Sequence, residues 1–597
     1  MKTRIFAALL AFVLLLCSVG CDAPIGNGEG ETGGTGNGAE EGADAQTSAD
    51  TAPDYAEDVS EMFTERDGDA TYDGADVRIA LLGDTATATS DAVRIDGARV
   101  TLTAEATYYV TGTLNSGQII VDASESAKVR IILDGVMVTS GTSAALYARE
   151  CDKLFVTLAE NSESILASGS TFTPIDENDV DAAVFSKSDL TLNGTGSLFV
   201  SSPAGHGIVC KDDLVFTGGS YQIAAASHGI DANDSVRIRD VQLSVTAGKD
   251  ALHAENNDDA SLGFVYIASG TFDLSAAGDG VSAGAHLQIE NGAFTVTAGG
   301  GTANAGGFGS SSASADTSAK ALKGQTGVRI ANGTFTLDSA DDAVHSNGSV
   351  TVSGGVFTVS TGDDGFHADE TLTVSGGEFD IIKSYEGLEG LHVAITGGKI
   401  RLVARDDGVN AAGGKDGSGM GGRGDDAFGG MRPRAGGMPG GTPGGMPGGA
   451  PGGSSSSGSI MISGGTLYIE ASGDGIDANG TLEITGGQTV VCGPTQGDTA
   501  TLDYDGSATI SGGTFIGTGA SGMAQTFSNS AQGVISVRLS GGGAGAKITL
   551  KDADGKVLIT HTPALPFSVV ILSCPEMVSG EPYTVTVGEN AGTFTAK

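Results

Sequence analysis

The sequence predicts an all-β chain wound as a right-handed parallel β-helix, and three observations carry that prediction. Phe335, Phe357, Phe379 and Ile400 recur at steps of 22, 22 and 21 residues, and a period of roughly 20–50 residues is the mark of a repeat architecture. Within one unit, TFTLDS and SVTVSG alternate apolar and polar residues with period 2, while SGG, DDG and NG punctuate them, giving strand, turn, strand, turn. Outside the N-terminus no helical periodicity of useful length occurs. A coil of about 22 residues carrying three short strands would stack on the next at roughly 4.8 Å, so that equivalent residues form columns.

Each element of the unit has a reason. The column Val136, Phe155, Phe199, Tyr221, Leu243, Phe272, Phe294, Phe335, Phe357, Phe379, Ile400 and Leu467 points inward and stacks as core. The Gly-Gly before each late Phe marks a tight corner where positive φ is expected. Where a step exceeds 22, the extra residues are assigned to corner loops: Ser162–Val180, Ala298–Ala319 and Gly413–Gly458. The last contains GGMPGGTPGGMPGGAPGG, a low-complexity stretch expected to be disordered.

The 597 residues include 97 Gly, and 73 acidic residues against 31 Lys and Arg give a formal net charge of −42. Nucleic acid is excluded as a partner by that balance, because binding a phosphate backbone requires basic residues. Excess acid suits cation binding or solubility. Of six cysteines, Cys17 and Cys21 fall in the leader, and Cys151, Cys210, Cys492 and Cys574 form no CxxC pair. They are read as buried small hydrophobes rather than zinc ligands.

In chain order, residues 1–21 carry Lys2 and Arg4, an apolar run from Ile5 to Leu16, and Ser18-Val19-Gly20-Cys21. This is a secretory signal whose ending resembles a lipoprotein signal, with Cys21 as the lipidated residue; plain secretion is the alternative. Residues 22–76, poor in large apolar side chains, read as a disordered acidic linker. Residues 77–531 hold the β-helix. Residues 532–597 lose the repeat and read as antiparallel hairpins, a C-terminal β cap.

Chemistry concentrates at one corner of the coil. Asp231, Asp250, Asp279, Asp341, Asp342, Asp363, Asp364, Glu386, Asp406, Asp407 and Asp474 form an acidic series. Three residues on runs a second polar column: Asp231 in its own coil, then His253, Ser282, His345, His367, Glu389, Asn410 and Asp477. Stacked carboxylates about 5 Å apart repel by about 1 kcal/mol per pair even in water. Calcium, which takes six to eight or so oxygens in flexible geometry, relieves that repulsion. The aspartates Asp231 to Asp477 are thus candidate calcium ligands. His253, His345, His367, Glu386, Glu389 and Asn410 are candidate ligand-binding residues. Asp-Gly is also ordinary turn chemistry, but doubled Asp-Asp in three coils of one run exceeds what turns require. His345 and His367 also suit a transition metal. No catalytic set can be assigned; Lys249, Lys320, Lys383 and Arg405 stand where the base of a calcium-dependent lyase would be needed, or serve as charge partners.

TYYVTGTLNSGQIIVDA (107–123), VRIILDGVMVTS (129–140), the SGG-x-F and DG-x-x-A coils, and DGKVLITHTPALPFSVVILSCP (554–575) resemble one family. It comprises calcium-binding parallel β-helix carbohydrate-binding proteins on the surface of plant-wall-degrading anaerobic bacteria, with a fold similar to pectate lyases. The resemblance implies a monomeric cell-surface protein, held to the membrane only through a lipid anchor. It implies Ca2+ as cofactor and a polysaccharide partner, cellulose or acidic pectic chains, without established cleavage. The chain departs from it in the 413–458 insert, the absence of Trp and the small number of Tyr. These departures weigh against a flat aromatic platform for cellulose and favour calcium-bridged uronates. A pectate lyase and a structural surface protein or adhesin are the alternatives.

Overall fold

The structure is a computed structural model that describes residues 59–72, 74–305, 318–412 and 458–597. The chain divides into two units, Met1–Thr51 and Ala52–Lys597, and every described residue belongs to the second. The signal segment 1–21, Cys21, the linker up to 58 and the insert 413–457 lie outside the described residues. Among the described residues no helix is long and apolar enough to cross a membrane.

Alternating, β-branched-rich segments pair side by side in parallel, each with the strand one repeat away. Three ladders result. The first runs through Ser220–Ala225, Val241–Ala247, Gly270–Ala276, Ala293–Ala298, Thr334–Ser339 and Val356–Thr361. The second runs through Ile230–Ala232, Leu252–Ala254, Val281–Ala283, Leu322–Gly324 and Val344–Ser346. The third runs through Ser235–Arg239, Phe264–Ile267, His286–Ile289, Gly327–Ile330 and Ser349–Val352. The chain visits the same three ladders in the same order once per repeat.

Registration places Leu243, Phe272, Phe294, Phe335, Phe357, Phe379, Ile400 and Leu467 opposite one another. Five Phe rings stack at centroid distances of 4.5–4.9 Å with interplanar angles of 4–7°, the strand spacing transmitted to the side chains. The corner before them uses positive φ as expected: Gly355 and Gly377 have φ of 106° and 100°. A Cβ at Gly377 would meet the carbonyl oxygen of Gly355 at 3.0 Å.

Two members of the expected column are displaced. Phe199 pairs with Gln222 on the outer face and is 38% exposed, while Leu198 takes the inward place opposite Tyr221. Phe155 belongs to the third ladder, opposite Arg130 and Thr191. It points outward and is buried beneath the cations of Arg66, Arg130 and Lys153. The first-ladder strand that follows Val136 is Glu163–Ala167, inside the stretch assigned to a loop. There Ser164 holds the inward place, and its Oγ accepts the Val136 N–H at 3.1 Å.

The linker expectation also gives way over residues 59–72. Thr64 caps a single turn, Glu65–Gly68. Asp67 is buried, paired with Lys153 Nζ at 3.0 Å and accepting from Thr191 Oγ1 at 2.6 Å. Phe63 packs on Tyr266. Cys151, Cys210, Cys492 and Cys574 are free and buried.

At the far end, Phe567–Ser573 runs antiparallel between Thr514–Gly519 and Val534–Gly542. Ile548–Lys551, Val557–His561, Pro582–Val587 and Asn590–Thr595 make a separate antiparallel sheet.

Candidate functional site

The turn between the first and second ladders is short and ends on a strand of about three residues, so each coil delivers the same two positions to the same corner. The second polar column is continuous: Asp231, His253, Ser282, Lys323, His345, His367, Glu389, Asn410, Asp477 and Asp503 stand opposite one another in succession. Lys323 and Asp503 were not anticipated from the sequence. Their offset from Leu322 and Leu502, the same as that of His345 from Val344, is the signal that places them.

Three residues earlier in each coil the acids form a hydrogen-bonded ladder. Asp250 Oδ1 accepts the Asp279 N–H at 2.7 Å, and Asp279 Oδ1 accepts the Lys320 N–H at 2.7 Å. Asp342 Oδ1 accepts from Asp364 N at 3.0 Å, Asp364 Oδ1 from Glu386 N at 3.1 Å, and Asp407 Oδ1 from Asp474 N at 2.5 Å. One carboxylate oxygen per coil therefore satisfies the corner's backbone donor, a turn-stabilising role. The other oxygen is left for a cation or a cationic side chain.

What meets that second oxygen differs along the corner. Between Lys320 and Glu389 the protein supplies its own cations. Lys320 Nζ lies 2.6 Å from Asp341 and 3.6 Å from Asp342. His345 Nδ1 is 2.7 Å from Asp342, and His367 Nδ1 is 2.7 Å from Glu389 and 3.2 Å from Asp364. His367 Nε2 reaches Asp369 at 3.1 Å. Burial opposes the charge on His367, but its carboxylate partners outweigh it and raise its pKa well above the usual value. His345 is lowered by burial. Burial pushes Lys320 toward neutrality, yet Asp342 and Asp341 outweigh it and favour its protonated form. Arg405 lies over the Tyr385 ring.

Beyond Glu389 one group of acids lacks such a partner among the described residues. Asp407, Asp474 and Asp477 bring carboxylate oxygens within 4.8 Å of one another. No Lys, Arg or His makes an ion pair with them among the described residues. Burial, compounded by neighbouring acids, pushes their pKa values up to about 8, 6 and 7 respectively. Beside them Asn410, buried and opposite Asp477, donates to Glu386 Oε2 at 2.7 Å. Its Oδ1 is buried with no hydrogen-bond partner. An all-oxygen donor set with an orphaned amide oxygen fits a hard cation.

The remaining candidates distribute as follows. Asp363 joins Asp341 and Asp342 in a group whose carboxylates converge. Asp406 lies beside Tyr385, whose hydroxyl is raised by burial and by its bond to Asp406. Asp279 is buried, with Lys323 at 3.9 Å. Asp231 sits in the second column, 3.8 Å from His206. Asp250 and His253 converge not with other acids but with His228, a residue sequence reasoning missed although its offset from Ile230 equals that of Asp250 from Leu252. Away from this corner, a groove of about 340 Å³ on the outer face of the first ladder is lined by Phe199, Gln222, Gln242, Ser244 and Asp273.

A family described as "Carbohydrate-binding domain-containing protein" matches residues 96–365. A protein of that same description from Acetivibrio thermocellus is 32% identical over 193 residues, which cover 32% of this chain and 68% of the relative. The chain belongs to the carbohydrate-binding domain-containing proteins. The structure of the polysaccharide lyase-like protein from C. thermocellum, in a gadolinium derivative, resembles it at 24% identity and a TM-score of 0.37, over 46% of this chain and 96% of the other. Of the corner residues, the matched region 96–365 contains those from His206 to Asp364 and leaves out the Asp407 cluster.

Proposed function

We propose that this carbohydrate-binding domain-containing protein is a secreted, cell-surface lipoprotein that binds polysaccharide in a calcium-dependent manner, as a monomer, on a right-handed parallel β-helix. Its family membership supports carbohydrate as the ligand class. The observation that carries calcium dependence is the cluster of Asp407, Asp474 and Asp477, without an ion-pair partner among the described residues, together with the orphaned Oδ1 of Asn410. Those four side chains would hold the ion. Calcium bound there supplies a positive centre on an acidic surface, which a chain of uronate carboxylates can share. The protein's own part is to fix the donors: backbone N–H groups of the following coils pin one oxygen each of Asp407 and Asp474, so the remaining oxygens converge without reorganisation. Acidic pectic chains fit this surface better than cellulose.

The test is calcium titration of the tether-free protein by calorimetry, then binding of polygalacturonate with and without chelator. Saturable calcium uptake that is lost in Asp474→Asn, with chelator-sensitive glycan binding, supports the reading. Glycan binding that survives chelator moves the ligand to the groove at Phe199. Calcium uptake with no glycan binding favours a structural or adhesive role, and unsaturated products absorbing in the ultraviolet would make the protein a lyase.

A further inference from the structure

At the early end of the acidic corner the donor set changes from oxygen to nitrogen and oxygen. The geometry points to a second metal centre there, in which His228 Nδ1, His253 Nδ1 and Asp250 Oδ2 bind a transition-metal ion of the zinc class. Asp250 Oδ2 lies 3.3 Å from His228 Nδ1 and 3.0 Å from His253 Nδ1, and all three atoms fall within 4.8 Å of one another. Ligands at about 2.0–2.1 Å from a tetrahedral zinc-class ion are separated by roughly 3.3 Å, so two edges of the required triangle are already set.

The surroundings prepare these atoms for a metal. Asp250 Oδ1 is occupied by the Asp279 N–H at 2.7 Å, which turns Oδ2 toward the imidazoles. His253 Nε2 lies 3.4 Å from Glu255. A carboxylate on the far nitrogen holds the proton there and leaves Nδ1 as the ligand atom, the outer-sphere arrangement of metal-binding histidines. His228 Nδ1 accepts the Asp250 N–H at 3.3 Å and lies equally far from Asp250 Oδ2; a metal ion would take its lone pair in place of that backbone bond. Successive coils hold the rings in place: His228 packs against His206 at 5.2 Å and against His253 at 4.5 Å. Among the described residues neither lysine nor arginine makes an ion pair with Asp250, in contrast to Asp342, where Lys320 already does. At His367 Nδ1 is shared between Glu389 and Asp364 while Nε2 meets Asp369, whereas among the described residues His253 Nδ1 meets Asp250 alone. Three protein ligands leave a fourth position open for water or a ligand atom. Imidazole donors select a zinc-class ion over calcium, so this centre is chemically separate from the Asp407 cluster.

The experiment uses the full chain stripped of metal and titrated with Co2+ alone, followed through the visible d–d absorption of the ion. The expected result is an intense absorption of four-coordinate Co2+. Zn2+ should displace it and excess Ca2+ should not. His228→Gln and His253→Gln should each weaken Co2+ by roughly 100-fold, the upper end of what loss of even an outer-sphere partner costs. His345→Gln should leave the absorption intact, and calorimetric calcium uptake should be unchanged in all three variants. The wild-type titration needs no variant to fold: no visible band, or one erased by Ca2+, overturns the proposal. A band that persists in both His228→Gln and His253→Gln, or that disappears in His345→Gln, overturns it as well.

Discussion

Asp477 shows how one side chain can be a liability and a ligand at once. Burial and the neighbouring Asp474, Asp503 and Asp505 raise its carboxyl to about 7, with Asp407 at about 8 and Asp474 at about 6. A carboxyl whose folded pKa exceeds its unfolded value of about 3.9 stabilises the fold fully below that value and loses the contribution as pH rises through the folded one. Metal-free protein should therefore melt at a lower temperature at pH 8 than at pH 5. Saturating calcium should flatten that slope, because it favours the ionised form. Asp477→Asn should raise metal-free stability at pH 8 by about 1–2 kcal/mol, below the full linkage value since the side chain retains some solvent, while weakening calcium uptake. Thermal melts at the two pH values, with and without calcium, read both effects. A metal-free protein equally stable at pH 5 and pH 8 would remove the argument for uncompensated carboxylates.

An element here is a column rather than a strand. Phe357 is 1% exposed, stacked between Phe335 at 4.5 Å and Phe379 at 4.7 Å, with Phe366 edge-on at 5.5 Å. Phe357→Ala should cost about 3–5 kcal/mol in urea unfolding, whereas Phe199→Ala on the open face should stay within about 1 kcal/mol. Equal costs would contradict the register. The difference also shows what the sequence could and could not reveal. From Phe272 onward the repeat is regular and the inward parity is unambiguous, so the column and its acidic corner were legible. In Leu198-Phe199-Val200 every position is apolar, so alternation gives no parity, and ring size alone pointed to the wrong residue. The strand Glu163–Ala167 carries an inward Ser164, which hides it from a search for apolar steps. His228 was hidden because an imidazole stands where most of the other coils carry an acid. Residues 59–72 read as linker because their burial rests on polar contacts made by Asp67 to Thr191 and Lys153, more than 80 residues away, and composition cannot register such partners.

At the scale of the whole described unit, parallel ladders stack without closing, so each must end on something other than another coil. A terminal strand left open presents unpaired N–H and C=O groups and invites pairing with a second chain. The first ladder ends at Thr514–Gly519, whose free edge is taken by Phe567–Ser573 running antiparallel. Val490, Cys492 and Ile516 on its outer face are buried against Ile535, Val570 and Leu572. The cap thus supplies two things at one place, hydrogen-bond partners for an edge and cover for an apolar face. Removing residues 532–597 should strip both together while leaving the coils from Leu146 to Ile510 with their internal pairing. The truncated chain should keep the far-ultraviolet circular dichroism of a β protein yet elute as dimers and larger species in size-exclusion chromatography with light scattering. Adding Thr514→Lys and Ile516→Lys to the truncation, which places charge on the exposed edge, should restore a monomer. A truncated chain that is already monomeric would mean that the coils protect their own end and that the antiparallel segment is dispensable for solubility.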